Sequence, residues 1–265
     1  MIRENFLISK LKSGRPAIGT WSMIPSPITS DIIASSGIDF LIIDREHGPI
    51  SFETAQEMSI ACESRKVSPV MRVGDIDKQF IQNALDIGVH GIQVPNIDLK
   101  SKAMDVVEYS KFPPLGNRGF SPFVRAGNYS IESSQSLTKI ANQNTLVVLN
   151  IEGQDAIKNL DSILEVESVD IIFVGLFDLS KSLNIPGDVK NPRVLKKLSE
   201  IIEKASAAKK YVGSISTDFE SLQQFVNMGV MYLTHLVDCE ILRSGYSSIV
   251  NEFERSILKL DQRSV

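Results

Sequence analysis

The chain has 265 residues, 43% of them hydrophobic and 23% charged, with a formal net charge of −4. This balance fits a globular protein with a sizeable core, and its acidic sign argues against the basic face that a nucleic-acid partner requires. The two cysteines, Cys62 and Cys239, make no CxxC pair, which disfavours a disulfide framework or a zinc knuckle and suits a reducing cytoplasm. Residues 1–13 lack the apolar core of a signal peptide, and no stretch approaches the roughly 18 apolar residues of a membrane span, so no membrane partner is expected.

Short β-branched runs alternate with segments of helical period. In chain order the expected elements are strands at 17–21 and 40–44, a helix at 51–64, a strand at 69–73, a helix at 77–87, a strand at 91–95 and a helix at 99–110. Strands at 146–151 and 171–174 follow, then a helix at 191–208, a strand at 211–215, a helix at 221–228, a strand at 231–234 and a helix at 240–260. Asp77 and Asp218 stand where N-caps would, and Gly88 and Gly229 where helices would end. The alternation predicts an α/β protein, a (β/α)8 TIM barrel, and the lack of a linker predicts a single domain over 1–265. The segment 111–134, rich in Pro and Gly, is too long for an ordinary connection and reads as a binding loop in preference to disorder.

Parallel strands of such a barrel point their C-terminal ends at one face, so charged or aromatic residues that end these runs would converge on one site. Glu152 and Asp178 end consecutive strands and, with water and an α-keto acid, would form an all-oxygen site for Mg²⁺ or Mn²⁺. The alternative is that Glu152 caps the helix after it and that Asp178 is the N-cap of a helix at 179–183. Arg72 could hold a substrate carboxylate bidentately or make a salt bridge to Glu46 or Asp44. His47, in Asp44-Arg45-Glu46-His47-Gly48-Pro49, is either a proton acceptor oriented by a carboxylate such as Asp86 or a solvated loop histidine. Trp21 belongs to the core or to the pocket, and Gly175 allows backbone amides near Phe177 and Asp178 to approach an anionic oxygen. His90 and His235 have no evident partner, and no GxGxxG, P-loop or GxSxG motif is present.

Taken together, Gly19-Thr20-Trp21, Ile43 to Pro49, Met71-Arg72-Val73, Leu85-Asp86-Ile87-Gly88, Val94-Pro95, Phe112 to Gly119, Ile151-Glu152 and Asp178-Leu179-Ser180 resemble the HpcH/HpaI aldolase family over nearly the whole chain. The resemblance implies class II pyruvate aldolases that cleave a 4-hydroxy-2-oxo acid to pyruvate and an aldehyde through a metal-stabilised enolate. It implies Glu152 and Asp178 as ligands of a divalent metal ion (Mg²⁺ or Mn²⁺, with Co²⁺ also suitable) and Arg72 as the pyruvate contact. His47 with Asp86 would be the acid/base dyad, Asp44 and Trp21 would shape the pocket, and Asn150 stands where a glutamine often contacts pyruvate. It further implies a C-terminal helix exchanged between subunits of a homo-oligomer, a hexamer built as a trimer of dimers, with Arg118 to Arg125 near a neighbouring subunit's site. Asn150, Leu176, Phe177 and Leu236 depart from the family pattern around the pocket mouth. Oxaloacetate decarboxylation, a citrate-synthase-like condensation, or a catalytically silent barrel used for binding or assembly are the competing readings.

Overall fold

The computed structural model describes residues 4–130 and 134–261. In chain order the elements are α1 (Phe6–Lys12), β1 (Ala17–Ser22), α2 (Pro27–Ser35), β2 (Phe40–Asp44), α3 (Phe52–Ser64), β3 (Ser68–Arg72), α4 (Lys78–Asp86), β4 (Gly91–Val94) and α5 (Lys100–Ser110). A 3-10 turn (Arg125–Ser130) precedes α6 (Ser134–Asn144), β5 (Leu146–Ile151), α7 (Gln154–Lys158), α8 (Leu160–Leu164), β6 (Ile171–Val174), α9 (Leu176–Ser182), α10 (Pro192–Ala207), β7 (Tyr211–Ser216), α11 (Phe219–Met228), β8 (Tyr232–Val237) and α12 (Asp238–Asp261). The eight strands are parallel and close in sequence order, β8 pairing with β1. This is the expected (β/α)8 barrel.

Side chains alternate across each strand, and that period decides what faces the axis. Outward residues such as Ile43, Met71, Val147, Ile172 and Leu233 pack with the helices, whereas Ile42, Val70, Val148, Phe173 and Tyr232 form a separate inner cluster. Leu7 and Leu11 of α1 join that inner cluster and plug one end. Phe40 of β2 and Tyr232 of β8 stack at 4.1 Å on either side of β1, and a Cβ on Gly19 of β1 would lie 2.5 Å from the Phe40 ring, so only glycine fits there. Two residues beyond the apolar layer, the same inward faces carry Asp44, Arg72 and Asn150.

Asp77 caps α4 through Phe80 N, and Asp218 caps α11 with a reciprocal Ser221 bond, as expected. Gly88 and Gly229 take positive φ of 86° and 102° just past those helices. The expectation for β8 stopped at residue 234, but the strand runs to Val237 through a register shift against β1 and a leucine at φ 54°, Leu236. Helices α1, α2, α6 and α8 are absent from the sequence reading; α1 and α2 carry side-chain caps from Asn5 and Ser26. Among the described residues no helix is long and apolar enough to cross a membrane.

Of the segment 111–134, residues 131–133 lie outside the described ones, and none of the described ones lines the cavity at the C-terminal ends of the strands. Arg118 in it binds Asp86, and Arg125 binds Glu63 and the carbonyls of Ile87 and Gly88, so it is anchored at the opposite end of the barrel.

Candidate active site

At the C-terminal end of β2, Asp44 is 1% exposed and faces the axis. Its Oδ1 accepts the Glu46 and His47 amides at 3.0 and 3.3 Å, which turns the chain so that His47 lines the cavity. The carboxylate also accepts Arg72 Nε at 2.9 Å and Arg72 Nη2 at 2.6 Å, and Arg72 Nη1 lies 2.9 Å from Glu46 Oε2. The salt-bridge reading of Arg72 therefore holds with both carboxylates. Each terminal nitrogen still keeps one N–H for a ligand oxygen. The guanidinium stands 4.3 Å from the ring of Trp21, whose Nε1 donates to Thr234 Oγ1 at 2.9 Å. Trp21 is thus both core and pocket wall. Burial pushes the Glu46 carboxyl above its ordinary range, opposed by Arg72 and His47 and reinforced by Glu152 and Asp44.

Across the cavity, Glu152 follows β5. It does not cap α7, whose N-cap is Gly153 without a side-chain bond; its oxygens accept Asn150 Nδ2 at 2.9 Å and Asn96 N at 3.2 Å. Asp178 is not an N-cap either. The helix starts earlier, at Leu176 after Gly175, because Leu176 is buried, and Asp178 sits in its first turn. A Cβ on Gly175 would lie 3.0 Å from Glu152 Cγ and 3.3 Å from Oε1, so this glycine leaves room for that carboxylate.

Asn150 is buried, and both ends of its amide are engaged: Oδ1 accepts Gln93 Nε2 at 2.8 Å while Nδ2 holds Glu152. Asn150 also lines the cavity, and in this chain its amide fixes Glu152. Tyr232 OH donates to Gln93 Oε1 at 3.2 Å, so a buried chain of side-chain bonds runs from the stacked aromatic layer to Glu152. Gln93 and Tyr232 were missed by the sequence reading. The available signal was a lone amide inside the apolar run of β4, which must find partners when buried.

Asp44, His47, Arg72, Asn150, Glu152, Phe177, Asp178 and Trp21 all line one cavity of about 260 Å³ at the C-terminal end of the strands. Asp86 and Arg125 do not. Helix α4 runs back from the end of β3 to the opposite face, where Asp86 pairs with Arg118 at 2.7 Å, so Asp86 does not orient His47 within one chain. His90 and His235 do have partners: His90 bonds Ser68 and Glu63, and His235 bonds Ser216 at 2.9 Å and stacks on Phe219.

Among the described residues no group of three His, Cys, Asp or Glu side chains could hold a metal alone. Glu152 and Asp178 line the same cavity as paired hard oxygen donors, and the cradle at Gly175 fits a two-carboxylate site that substrate and water would complete.

A parallel eight-stranded barrel with an acidic pair, a buried Arg–Asp pair and a histidine at its C-terminal face defines the class. Residues 17–243 match the model of the HpcH/HpaI aldolase/citrate lyase family, and the chain belongs to it. It is 30% identical over 249 residues to a pyruvate aldolase of Rhizobium etli, covering 94% of this chain and 97% of that one. It is 29% identical over 238 residues to a 5-keto-4-deoxy-D-glucarate aldolase of Shigella boydii, covering 90% and 92%. Among solved structures, the HpcH/HpaI aldolase from Desulfitobacterium hafniense superposes with a TM-score of 0.90 at 26% identity, covering 95% and 97%. The citrate synthase SbnG superposes with a TM-score of 0.86 at 27% identity, covering 96% and 99%.

Proposed function

We propose that the protein is a class II pyruvate aldolase, cleaving a 4-hydroxy-2-oxo acid reversibly to pyruvate and an aldehyde. The observation that carries this is the shared cavity: Glu152 and Asp178 open onto the same space as Arg72, Asp44 and His47, in a chain of this family. Glu152 and Asp178 would hold a divalent cation, Mg²⁺ or Mn²⁺, which supplies Lewis-acid polarisation of the keto group. Arg72, fixed by Asp44 and by Trp21, orients the keto acid with its remaining N–H groups, and losing such a donor typically costs about 3 kcal/mol. His47 moves the proton on the hydroxyl that becomes the aldehyde oxygen, an effect of roughly 100-fold to 10,000-fold.

Asp178→Ala, or thorough chelation, is expected to abolish pyruvate release. Arg72→Ala weakens pyruvate binding and leaves Mn²⁺ bound. Activity that survives chelation would refute this reading.

The likeness to SbnG favours a second reading on the same site, condensation or decarboxylation of oxaloacetate. Comparing CO₂ release from oxaloacetate and Mg²⁺ with aldehyde-dependent pyruvate turnover separates the two.

The working form is proposed to be a homo-oligomer, a trimer of dimers with α12 exchanged, and cytoplasmic. Tyr246, Ile249 and Phe253 on α12 are exposed, which supports an intermolecular partner for that helix. The separation of His47 from Asp86 supports a dyad completed between subunits. Light scattering that reports a monomer would contradict both.

A further inference from the structure

The seam between β8 and β1 carries an extra residue. Gly19 pairs with Thr234 but Trp21 pairs with Val237, so two steps along β1 answer three along β8. Leu236 takes φ 54° within this step, and Thr20 Oγ1 donates across it, 3.0 Å from the His235 carbonyl and 3.3 Å from that of Leu236. A bulge of this kind re-aims the side chains beyond it. Tyr232 belongs to the inner cluster, so strict alternation would send Leu236 to the cavity; Val237 lines it instead, and Asp238 comes to lie beside the end of β1.

Asp238 is 5% exposed, and hydrogen bonds engage both of its oxygens. Its Oδ2 accepts Ser22 Oγ at 2.8 Å, Ile24 N at 3.0 Å and Met23 N at 3.1 Å. Its Oδ1 accepts Cys239 N at 2.7 Å and shares the Met23 amide at 3.1 Å. Bonds to an ionised acceptor are roughly twice as strong as neutral ones, so this carboxylate is a firm anchor for the chain that leaves β1. Helix α12 starts at the same residue.

Met23 in turn meets the other loop of the site. A Cβ on Gly48 would lie 3.3 Å from Met23 Cα and 3.4 Å from Met23 O, so the Met23 backbone abuts the turn that follows β2. That turn carries His47, and Asp44 Oδ1 holds it through the Glu46 and His47 amides. It is therefore tied by Asp44 and backed by Met23. Met23 and His47 both line the cavity, whereas Asp238 does not. All of these contacts are made within one chain.

Building on the aldolase reading, in which His47 moves the hydroxyl proton, we infer that Asp238 is a positioning residue for His47 and acts through Met23. Without its carboxylate the loop after β1 loses its anchor, the His47 turn loses its backing, and the imidazole stands off the hydroxyl. A misplacement of about 1 Å at such a group costs on the order of 100-fold. Arg72, Glu152 and Asp178 are placed by β3, β5 and α9 and by other partners, so metal and keto acid are still held.

The test uses the full-length protein with Mn²⁺ and 4-hydroxy-2-oxopentanoate as probe, following pyruvate release. Asp238→Ala is expected to lower kcat about 10–100-fold, with KM and calorimetric binding of Mn²⁺ and pyruvate within about threefold of wild type. In a His47→Ala chain the same substitution should cost less than about threefold, since a residue that works through His47 has nothing left to position. Asp238→Asn keeps one acceptor oxygen and should give a smaller loss; it carries the same cycle if Asp238→Ala does not fold. A kcat that stays at the wild-type value, or an equal loss in both backgrounds, would overturn the inference and leave the aldolase reading standing. Loss of pyruvate binding together with a change of assembly in light scattering would also overturn it, because Asp238 would then serve α12 alone. If the wild type releases no pyruvate from the probe, the aldolase reading and the inference fall together.

Discussion

Asp44 and Arg72, held in register by adjacent strands β2 and β3, form a two-point ion pair with Nε and Nη2 at 2.9 and 2.6 Å from the carboxylate oxygens. Asp44 is 1% exposed, so the pair is a buried one. Arg72→Leu strands that carboxylate, and the expected loss is about 3–5 kcal/mol in urea unfolding, beyond any effect on substrate. Asp44→Asn combined with Arg72→Leu should recover part of the loss, because no uncompensated charge then remains. Additive losses would show that the two side chains do not act as a pair.

Gly175→Ala tests the cradle. Its new Cβ would crowd Glu152 Cγ at 3.0 Å. Mn²⁺ affinity measured by calorimetry is expected to drop about 10–100-fold, the range seen when a ligand's support is disturbed. An unchanged affinity would mean that Glu152 is not a ligand or that its position is not set here.

Gln93→Leu cuts the buried chain between Tyr232 and Glu152 and leaves Asn150 Oδ1 and the Tyr232 hydroxyl without their partner. Thermal or urea unfolding should reveal a loss of about 1–3 kcal/mol. Mn²⁺ binding should weaken in the same variant, since Asn150 then holds Glu152 less firmly. A stability loss with normal Mn²⁺ binding would make the network purely structural.

How far the sequence carried the account follows from where the physics is local. The β-branched runs at Phe40–Asp44, Leu146–Ile151 and Ile171–Val174 are strands with the predicted bounds, because a buried parallel strand reads as a continuous apolar run. Asp44 and Arg72, which end β2 and β3, and Glu152, which follows β5, reach one cavity because parallel strands of a barrel point their C-terminal ends at one face. What escaped depends on distant groups. Asn150 points its amide at Gln93 and Glu152, Asp86 is claimed by Arg118 from a loop 32 residues away, and Asp178 lies inside a helix whose start is decided by burial of Leu176. Helix α2 was overlooked although Ser26 and Pro27 carry an N-cap and first-turn signal.

Burial lowers the readiness of His235 to protonate below its usual value, with Asp218 opposing. The folded chain therefore binds the proton less well than the unfolded chain, and the contribution to stability is full above the unfolded value near 6.5 and is lost as pH falls through the lowered one. The melting temperature of the wild type should fall relative to His235→Gln as pH is taken from about 7 to about 5. Parallel curves would show that His235 is not desolvated.

The central claim is that Glu152 and Asp178 jointly hold a divalent cation beside the keto acid. Crystals soaked with Mn²⁺ and pyruvate test it through the manganese anomalous signal. The account predicts one peak within coordination distance of both carboxylates, with the pyruvate reaching Arg72. A peak elsewhere, or carboxylates that turn apart with pyruvate absent from the cavity, would contradict it.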